Sequence, residues 1–297
     1  SCMNYHHETQ PMPNPLSRYF HKMPEGFHKM ETLFNHLVQL GAVWLLFLPQ
    51  PLATIGATLV IISQAYLIAS GNYAWLNWMT LIISFSGISD QYLQTVFPLT
   101  VPDYVMPSAT YTGIVILLAL IVAYMSIKPI KNMISPNQRM NASFNPLHLV
   151  NTYGAFGSVT KTRREIVIEG TTDETITADT NWQAYEFKAK PGDPANRPSQ
   201  WAPYHLRLDW QMWFAAMSPI RSNPWLIQLV KKLLKGDDQT LKLLGDSPFS
   251  EKPPRYIRAQ LFQYEFTDRQ EFNYQGKWWK RKYEHTYLSP TSLADLS

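Results

Sequence analysis

The sequence predicts a multi-span α-helical membrane region followed by an α+β soluble domain, an antiparallel sheet with covering helices. Three observations lead there. Residues up to about 129 are largely apolar and include charge-free runs at 52–70 and 109–127. The remainder carries most of the 26 Lys+Arg and 22 Asp+Glu, so a mean hydropathy of -0.20 averages two unlike halves. That second half alternates strand-like and helix-like patterns and is rich in Trp, Tyr, Pro and Gly.

Residues 1–31 form a polar, aromatic lead-in at the membrane surface, where Pro11, Pro13 and Pro15 break any helix. A transmembrane region is expected over 32–128. Its first apolar run, 33–48, ends at Pro49 and Pro51. The second, 52–70, has about nineteen residues, enough to cross a ~30 Å hydrocarbon core at ~1.5 Å per residue. The third, 73–88, is short and carries Trp75, Asn77 and Trp78, so it reads as tilted, interfacial or packed in. A polar connection at 89–108, with Asp90, Pro98, Pro102, Asp103 and Pro107, leads to the clearest span, 109–127, closed by Lys128, Pro129 and Lys131. Polar side chains in these runs are few: Asn35, His36, Gln39, Gln64 and Asn77. The plain reading is hydrogen bonding between neighbouring helices; the alternative is a substrate or ion pathway.

A linker at 129–150 precedes the soluble domain at 151–290 and a tail at 291–297. Within the domain, 164–170 and 184–190 alternate like strands, and Pro191-Gly192-Asp193-Pro194 has turn chemistry. Leu206, Trp210, Trp213, Phe214 and Met217 recur at helical spacing over 204–217. Asn223 and Pro224 open a second helix whose apolar face holds Trp225, Leu226, Leu229, Leu233 and Leu234, and Gly236 and Asp237 end it. A short helix is expected over 239–244, then closing strands at 256–267 and 276–288.

The net charge of +4 is mild and both signs are interleaved, with no one-signed stripe of the kind nucleic-acid binding requires. With one cysteine, Cys2, no intramolecular disulfide or Cys-pair metal site can form. The scarcity of cysteine suits a bacterial inner-membrane protein better than an animal secretory-pathway one. The start at Ser1, without a signal-peptide pattern, looks like a cut inside a longer protein.

Candidate functional positions are His6, His7, Glu8, Asn151, Tyr153, Gly154, Asp209 and Trp210. His6, His7 and Glu8 are metal-ligand types, but adjacent residues diverge, and no HExxH spacing exists. The plain reading is a hydrogen-bonded aromatic rim. His28 and His36, eight apart, share roughly one helix face if the helix is continuous. Asn151-Thr152-Tyr153-Gly154-Ala155-Phe156-Gly157 is either a tight turn joining membrane and domain or a docking edge for a client. Asp209, between Leu208 and Trp210 and near Arg207, either pairs with a donor or is a perturbed acid. The six tryptophans Trp201, Trp210, Trp213, Trp225, Trp278 and Trp279 are core, or partly an exposed patch. No GxSxG elbow or Ser–His–Asp order is present, so the chain does not look like a lipase. No metal or cofactor is expected.

Four blocks taken together resemble the lipase maturation factor family: CMNYHHETQPMPNPLSRYFH from Cys2; LFNH from Leu33 with SGNYAWLN from Ser70; SFNPLHLVNTYGAFGSVTKTRREIVIEGT from Ser143; and YEFKAKPGDP with RP and APYHLRLDWQMWFAA from Tyr185. The resemblance implies a polytopic protein of the endoplasmic reticulum or a bacterial inner membrane. It implies a chaperone-like factor without its own chemistry, partnered by the bilayer and a secreted lipase or other client, with its C-terminal domain on the lumenal or periplasmic side. The charge pattern points the other way: Lys128, Lys131 and Arg139 flank the fourth run, whereas 89–108 has no Lys or Arg, favouring a cytoplasmic C-terminal domain. A second functional reading is a membrane enzyme related to vitamin-K-dependent carboxylase-like proteins. A transporter would show repeats and a polar midplane, and neither is visible.

Overall fold

A computed structural model describes residues 1–98, 100, 105–154, 158–249 and 251–296. In chain order the helices and strands are α1 Met3–Thr9, α2 Ser17–His21, α3 Glu25–His36, α4 Leu52–Ser70, α5 Leu76–Ser84, α6 Asp90–Val96, α7 Ala109–Met133, β1 Ala142–Ser143, β2 Asn151–Thr152, β3 Arg163–Thr171, β4 Gln183–Ala184, α8 Arg207–Ala215, α9 Pro224–Leu234, α10 Asp238–Leu241, β5 Tyr256–Phe266, α11 Arg269–Gln275 and β6 Trp279–Ser292. They form two bodies: Ser1–Ser89 together with the chain from Thr160 onward, and Asp90–Val159.

Two helices are long and apolar enough to cross a membrane, α4 and α7. The other two apolar runs do not become single long helices. The run at 33–48 is the end of α3, a π-helical turn at Leu37–Gly41 and a 3-10 segment at Ala42–Phe47. Gly41, then Pro49, deny it a continuous ladder. The run at 73–88 yields α5, whose 9 residues reach only ~14 Å. The Gln50 side chain opens α4, its Oε1 accepting from the Thr54 amide at 3.2 Å and hydroxyl at 2.6 Å. Two pairs of the polar side chains within the runs join each other: Gln39 donates to Asn35 at 2.9 Å and Asn77 to Gln64 at 2.8 Å.

The core of the first body is a four-stranded antiparallel sheet in the order β4-β3-β5-β6. In β3, Ile166, Ile168 and Gly170 fall on one face by the two-residue period, and the isoleucines pack with Met212 of α8 and Leu226, Val230 and Leu233 of α9. Alternation puts Arg163, Glu165 and Val167 on the opposite face, and all three are buried as well. The lead-in covers that face. The Arg163 guanidinium donates to the carbonyls of Glu8 (2.8 Å), Gln10 and Pro11 (3.0 Å) at the C-terminal end of α1, where a cation complements the helix dipole. It also pairs with Glu165, whose second oxygen meets Lys190 Nζ at 3.1 Å.

More bonds fasten the same junction. The Phe266 amide donates to Glu8 Oε2 at 2.7 Å, and Trp213 Nε1 to the Thr9 carbonyl at 2.9 Å. Arg18 donates to the carbonyls of Thr267 and Asp268 and lies 4.5 Å over the Phe272 ring. Asn72 accepts from the amides of Trp201 and Ala202 and donates to the Ser199 carbonyl. Residues 1–31 are therefore built into the sheet-bearing body.

The strand expected at 184–190 pairs only over Gln183–Ala184. After Tyr185 donates to Ile168, the chain's amides find other acceptors: Glu186 donates to the Asp246 carbonyl, and Ala189 and Lys190 donate to Asp209 Oδ1. The helix expected over 204–217 is shorter, Arg207–Ala215, and the one expected over 239–244 is Asp238–Leu241. Asn223 stands at the start of α9, yet its side chain makes no cap; it reaches Tyr287 Oη at 3.2 Å. The closing strands are separated by α11, which the sequence reading did not include. A capping box starts α11: Asp268 Oδ1 accepts from the Glu271 amide and Glu271 Oε2 from the Asp268 amide.

In the second body, Ser108 caps α7 by accepting from the Tyr111 amide at 3.2 Å. Strands β1 and β2 pair antiparallel, Ala142 with Thr152 and Ser143 with Asn151.

Candidate functional site

Successive residues on a helix point about 100° apart, and α1 sends its three chemical residues to three places. His6 Nε2 lies 2.6 Å from the Tyr73 hydroxyl, with the two rings stacked at 5.9 Å. Glu8 turns to the sheet, where it takes the Phe266 amide and lies 3.4 Å from His21 Nε2. His7 points at α3. There His28 and Glu31, three residues apart, share a face, and the Glu31 carboxylate sits between two imidazoles. Its Oε1 is 2.9 Å from His7 Nε2 and its Oε2 is 2.7 Å from His28 Nδ1. All three are buried, and Phe20 stacks on the His7 ring at 5.5 Å.

This setting moves the protonation equilibria around it. Burial, then the His7 charge, lowers His6 to about 4 against an opposing pull from Glu31. Burial, then Lys22, lowers His21 to about 4. Both are neutral at neutral pH. Burial raises Glu8 although the Phe266 amide favours its charged form. For Glu31 burial pulls upward, but the hydrogen bonds from His7 and His28 outweigh it and hold the carboxyl low. A charged carboxylate flanked by two imidazoles can hold or pass a proton, or ligate a cation.

The sequence reading missed Glu31 and the meeting of His7 with His28. The available signal was His28-x-x-Glu31 at helical spacing in α3. His36, the expected partner of His28, is exposed.

Asp209 is buried, and its Oδ1 accepts from the Ala189 amide at 2.8 Å and the Lys190 amide at 2.9 Å. Burial raises its pKa in spite of those donors. Trp210 is half-buried, with its ring 5.6 Å from that of His205. In the second body Asn151 donates to the His148 carbonyl at 2.7 Å, Tyr153 is exposed, and the Gly154 amide donates to Asn141 Oδ1 at 2.9 Å. Residues 155–157 of that motif, like Pro102 and Asp103 of the polar connection, lie outside the described residues.

Comparison with known proteins gives the chain a family. The lipase maturation factor transmembrane domain matches residues 1–95, and the lipase maturation factor C-terminal domain matches residues 149–289. Lipase maturation factor 1 of Homo sapiens is 41% identical over 317 residues, covering 100% of this chain and 56% of the relative. The same factor of Mus musculus is 42% identical over 319 residues, again with 100% and 56% covered. Lipase maturation factor 2 of Homo sapiens is 24% identical over 403 residues, covering 99% of this chain and 56% of the relative. The chain thus spans little more than half the length of these relatives. No solved structure matches it significantly. None of these matches is a carboxylase, so the enzyme reading gains nothing from them. The transmembrane match includes the apolar helix α4, and the C-terminal match covers most of the sheet and its helices: the chain belongs to the lipase maturation factor family.

Proposed function

We propose that this chain is part of a membrane-anchored maturation factor that assists secreted lipases, or similar protein clients, to their active fold. The observation that carries the reading is the buried junction between lead-in and sheet, where Arg163 collects three carbonyls from the segment preceding the apolar helices. A folded domain fixed in this way is presented to a client at the membrane without a slack tether. The membrane region is multi-span, in the endoplasmic reticulum or a bacterial inner membrane, with the C-terminal domain lumenal or periplasmic. Functionally the chain divides into a surface lead-in at 1–31, a membrane region at 32–128, a linker at 129–150, a client-facing domain at 151–290 and a tail at 291–297. Asn151, exposed Tyr153 and Gly154 form a client-contact edge, while buried His7, Glu8 and Asp209, with half-buried His6 and Trp210, keep the presenting surface in shape.

The test is complementation. Cells lacking their own factor receive the full-length protein, and secreted lipase activity per unit lipase mass is measured. Wild type restores that ratio, and Tyr153→Ala lowers it while leaving the factor's abundance unchanged. Failure of wild type to raise the ratio overturns the reading. A reporter fused after Ser297 in the full-length protein gives the side of the membrane; a cytoplasmic result removes direct contact with secreted clients.

A further inference from the structure

We propose that His7 Nε2, His28 Nδ1 and a Glu31 carboxylate oxygen form a binding site for a divalent transition-metal ion of the zinc class. The maturation reading gives His7 only a structural part and calls for no metal, so the metal site stands independently of it.

The geometry comes first. Candidate ligand atoms of the three residues all lie within 4.8 Å of one another. They come from two helices, α1 and α3, with His7 and Glu31 24 positions apart. His7 is 0%, His28 2% and Glu31 9% exposed, so the donors are placed by packing and are not a chance surface grouping. Two imidazole nitrogens with one carboxylate oxygen are ligands of borderline hardness. They suit zinc and its first-row neighbours and not magnesium or calcium, which take oxygen. Three protein ligands also leave a coordination position open. Glu31 also lines an apolar cleft of about 440 Å³ with Phe27, Met30, Phe34, Ile62 and Tyr66.

The proton balance is simple. Where a neutral imidazole donates to Glu31, the metal replaces the proton on the facing nitrogen, and that proton moves to the ring's other nitrogen. For His7 that atom is Nδ1, buried and without a hydrogen-bond partner among the described residues. Asn4, three residues earlier on α1, has a buried Oδ1 that is also unpartnered there, at the spacing where helix side chains are neighbours. An acceptor of this kind orients a metal-bound imidazole.

The experiment uses the full-length protein, purified in detergent through a histidine-free tag. Elemental analysis by mass spectrometry is expected to find about one zinc-class ion per chain. After chelation, Co(II) titration is expected to give a visible d–d absorption at 1:1 stoichiometry, and Glu31→Gln to weaken cobalt binding at least ~100-fold. Wild type with neither bound ion nor cobalt absorption overturns the proposal, as does a folded Glu31→Gln variant with unchanged affinity. Where that variant fails to fold, X-ray absorption of the wild-type cobalt form decides. Two imidazole scatterers support the site, and fewer than two overturn it.

Discussion

The Arg163 guanidinium holds the main-chain oxygen of Glu8 at 2.8 Å across 155 positions of sequence. Each of these residues also has a second tie at the same junction. The Glu8 side chain accepts from the Phe266 amide on β5, the strand paired with β3, and Arg163 is in contact with Glu165 of its own strand. Removing either residue therefore frees more than one polar group in a dry place.

Arg163→Ala leaves three carbonyls without their donor and one side of buried Glu165 without its cation. The expected loss is about 3–5 kcal/mol, as for breaking a buried pair. Arg163→Lys keeps charge but loses the planar fork, and it should lie between the two. Denaturant unfolding of the detergent-solubilised protein, followed by tryptophan fluorescence, gives the order.

Asp209 separates charge from shape. Its burial disfavours the carboxylate, so Asp209→Asn, which keeps an acceptor for the Ala189 and Lys190 amides, should change stability by less than about 1 kcal/mol. Asp209→Ala orphans both amides and should cost about 2–4 kcal/mol. Equal losses in the two variants would show that the charge, not the acceptor, matters.

His21 supplies a pH dependence. In the folded chain His21 is lowered from the usual 6.5 to about 4, chiefly through burial and then through Lys22, His7 and His28; Glu8 faces it at 3.4 Å. Below about pH 6.5 the unfolded chain takes up a proton that the folded one refuses. This contribution is therefore complete above pH 6.5, is lost as pH falls toward about 4, and amounts to at most ~3 kcal/mol. Glu8, raised by burial, has the opposite sign and recovers part of the loss at the acid end. His21→Gln should flatten the melting temperature between about pH 7 and pH 5.

Two glycines should answer oppositely to alanine. At Gly56 in α4 a Cβ would lie 2.8 Å from the Ala42 carbonyl oxygen and 2.9 Å from Leu45 Cβ, so Gly56→Ala should cost about 1–3 kcal/mol. At Gly26 in α3 nothing lies within 4 Å, and Gly26→Ala should gain up to ~1 kcal/mol from helix propensity. Thermal melting of both variants checks the signs.

Much of this was legible in the residues. Charge-free 52–70 became α4 with the same bounds, and the alternation of REIVIEG became β3. What stayed hidden depends on partners far along the chain. The alternation at 184–190 looks like a strand until the Asp209 carboxylate takes two of its amides. Arg163 lies just outside the expected strand at 164–170, and nothing local points to its bonds with the carbonyls of Glu8, Gln10 and Pro11. The His7–Glu31–His28 contact needs α1 and α3 side by side, which no local period announces. Helix α11 is different: Asp268 and Glu271 carried the capping signal in plain view.

Because one body is made from two stretches of the chain, with 90–159 between them in sequence, order of synthesis becomes an order of folding. When residue 89 has been made, α1 still lacks Arg163 for its last carbonyls and Glu8 still lacks the Phe266 amide. The early segment must wait, polar groups wet, until β3 and β5 emerge. A ribosome that stops after the second apolar helix leaves a piece that cannot close, and quality control would meet it as an unfinished half.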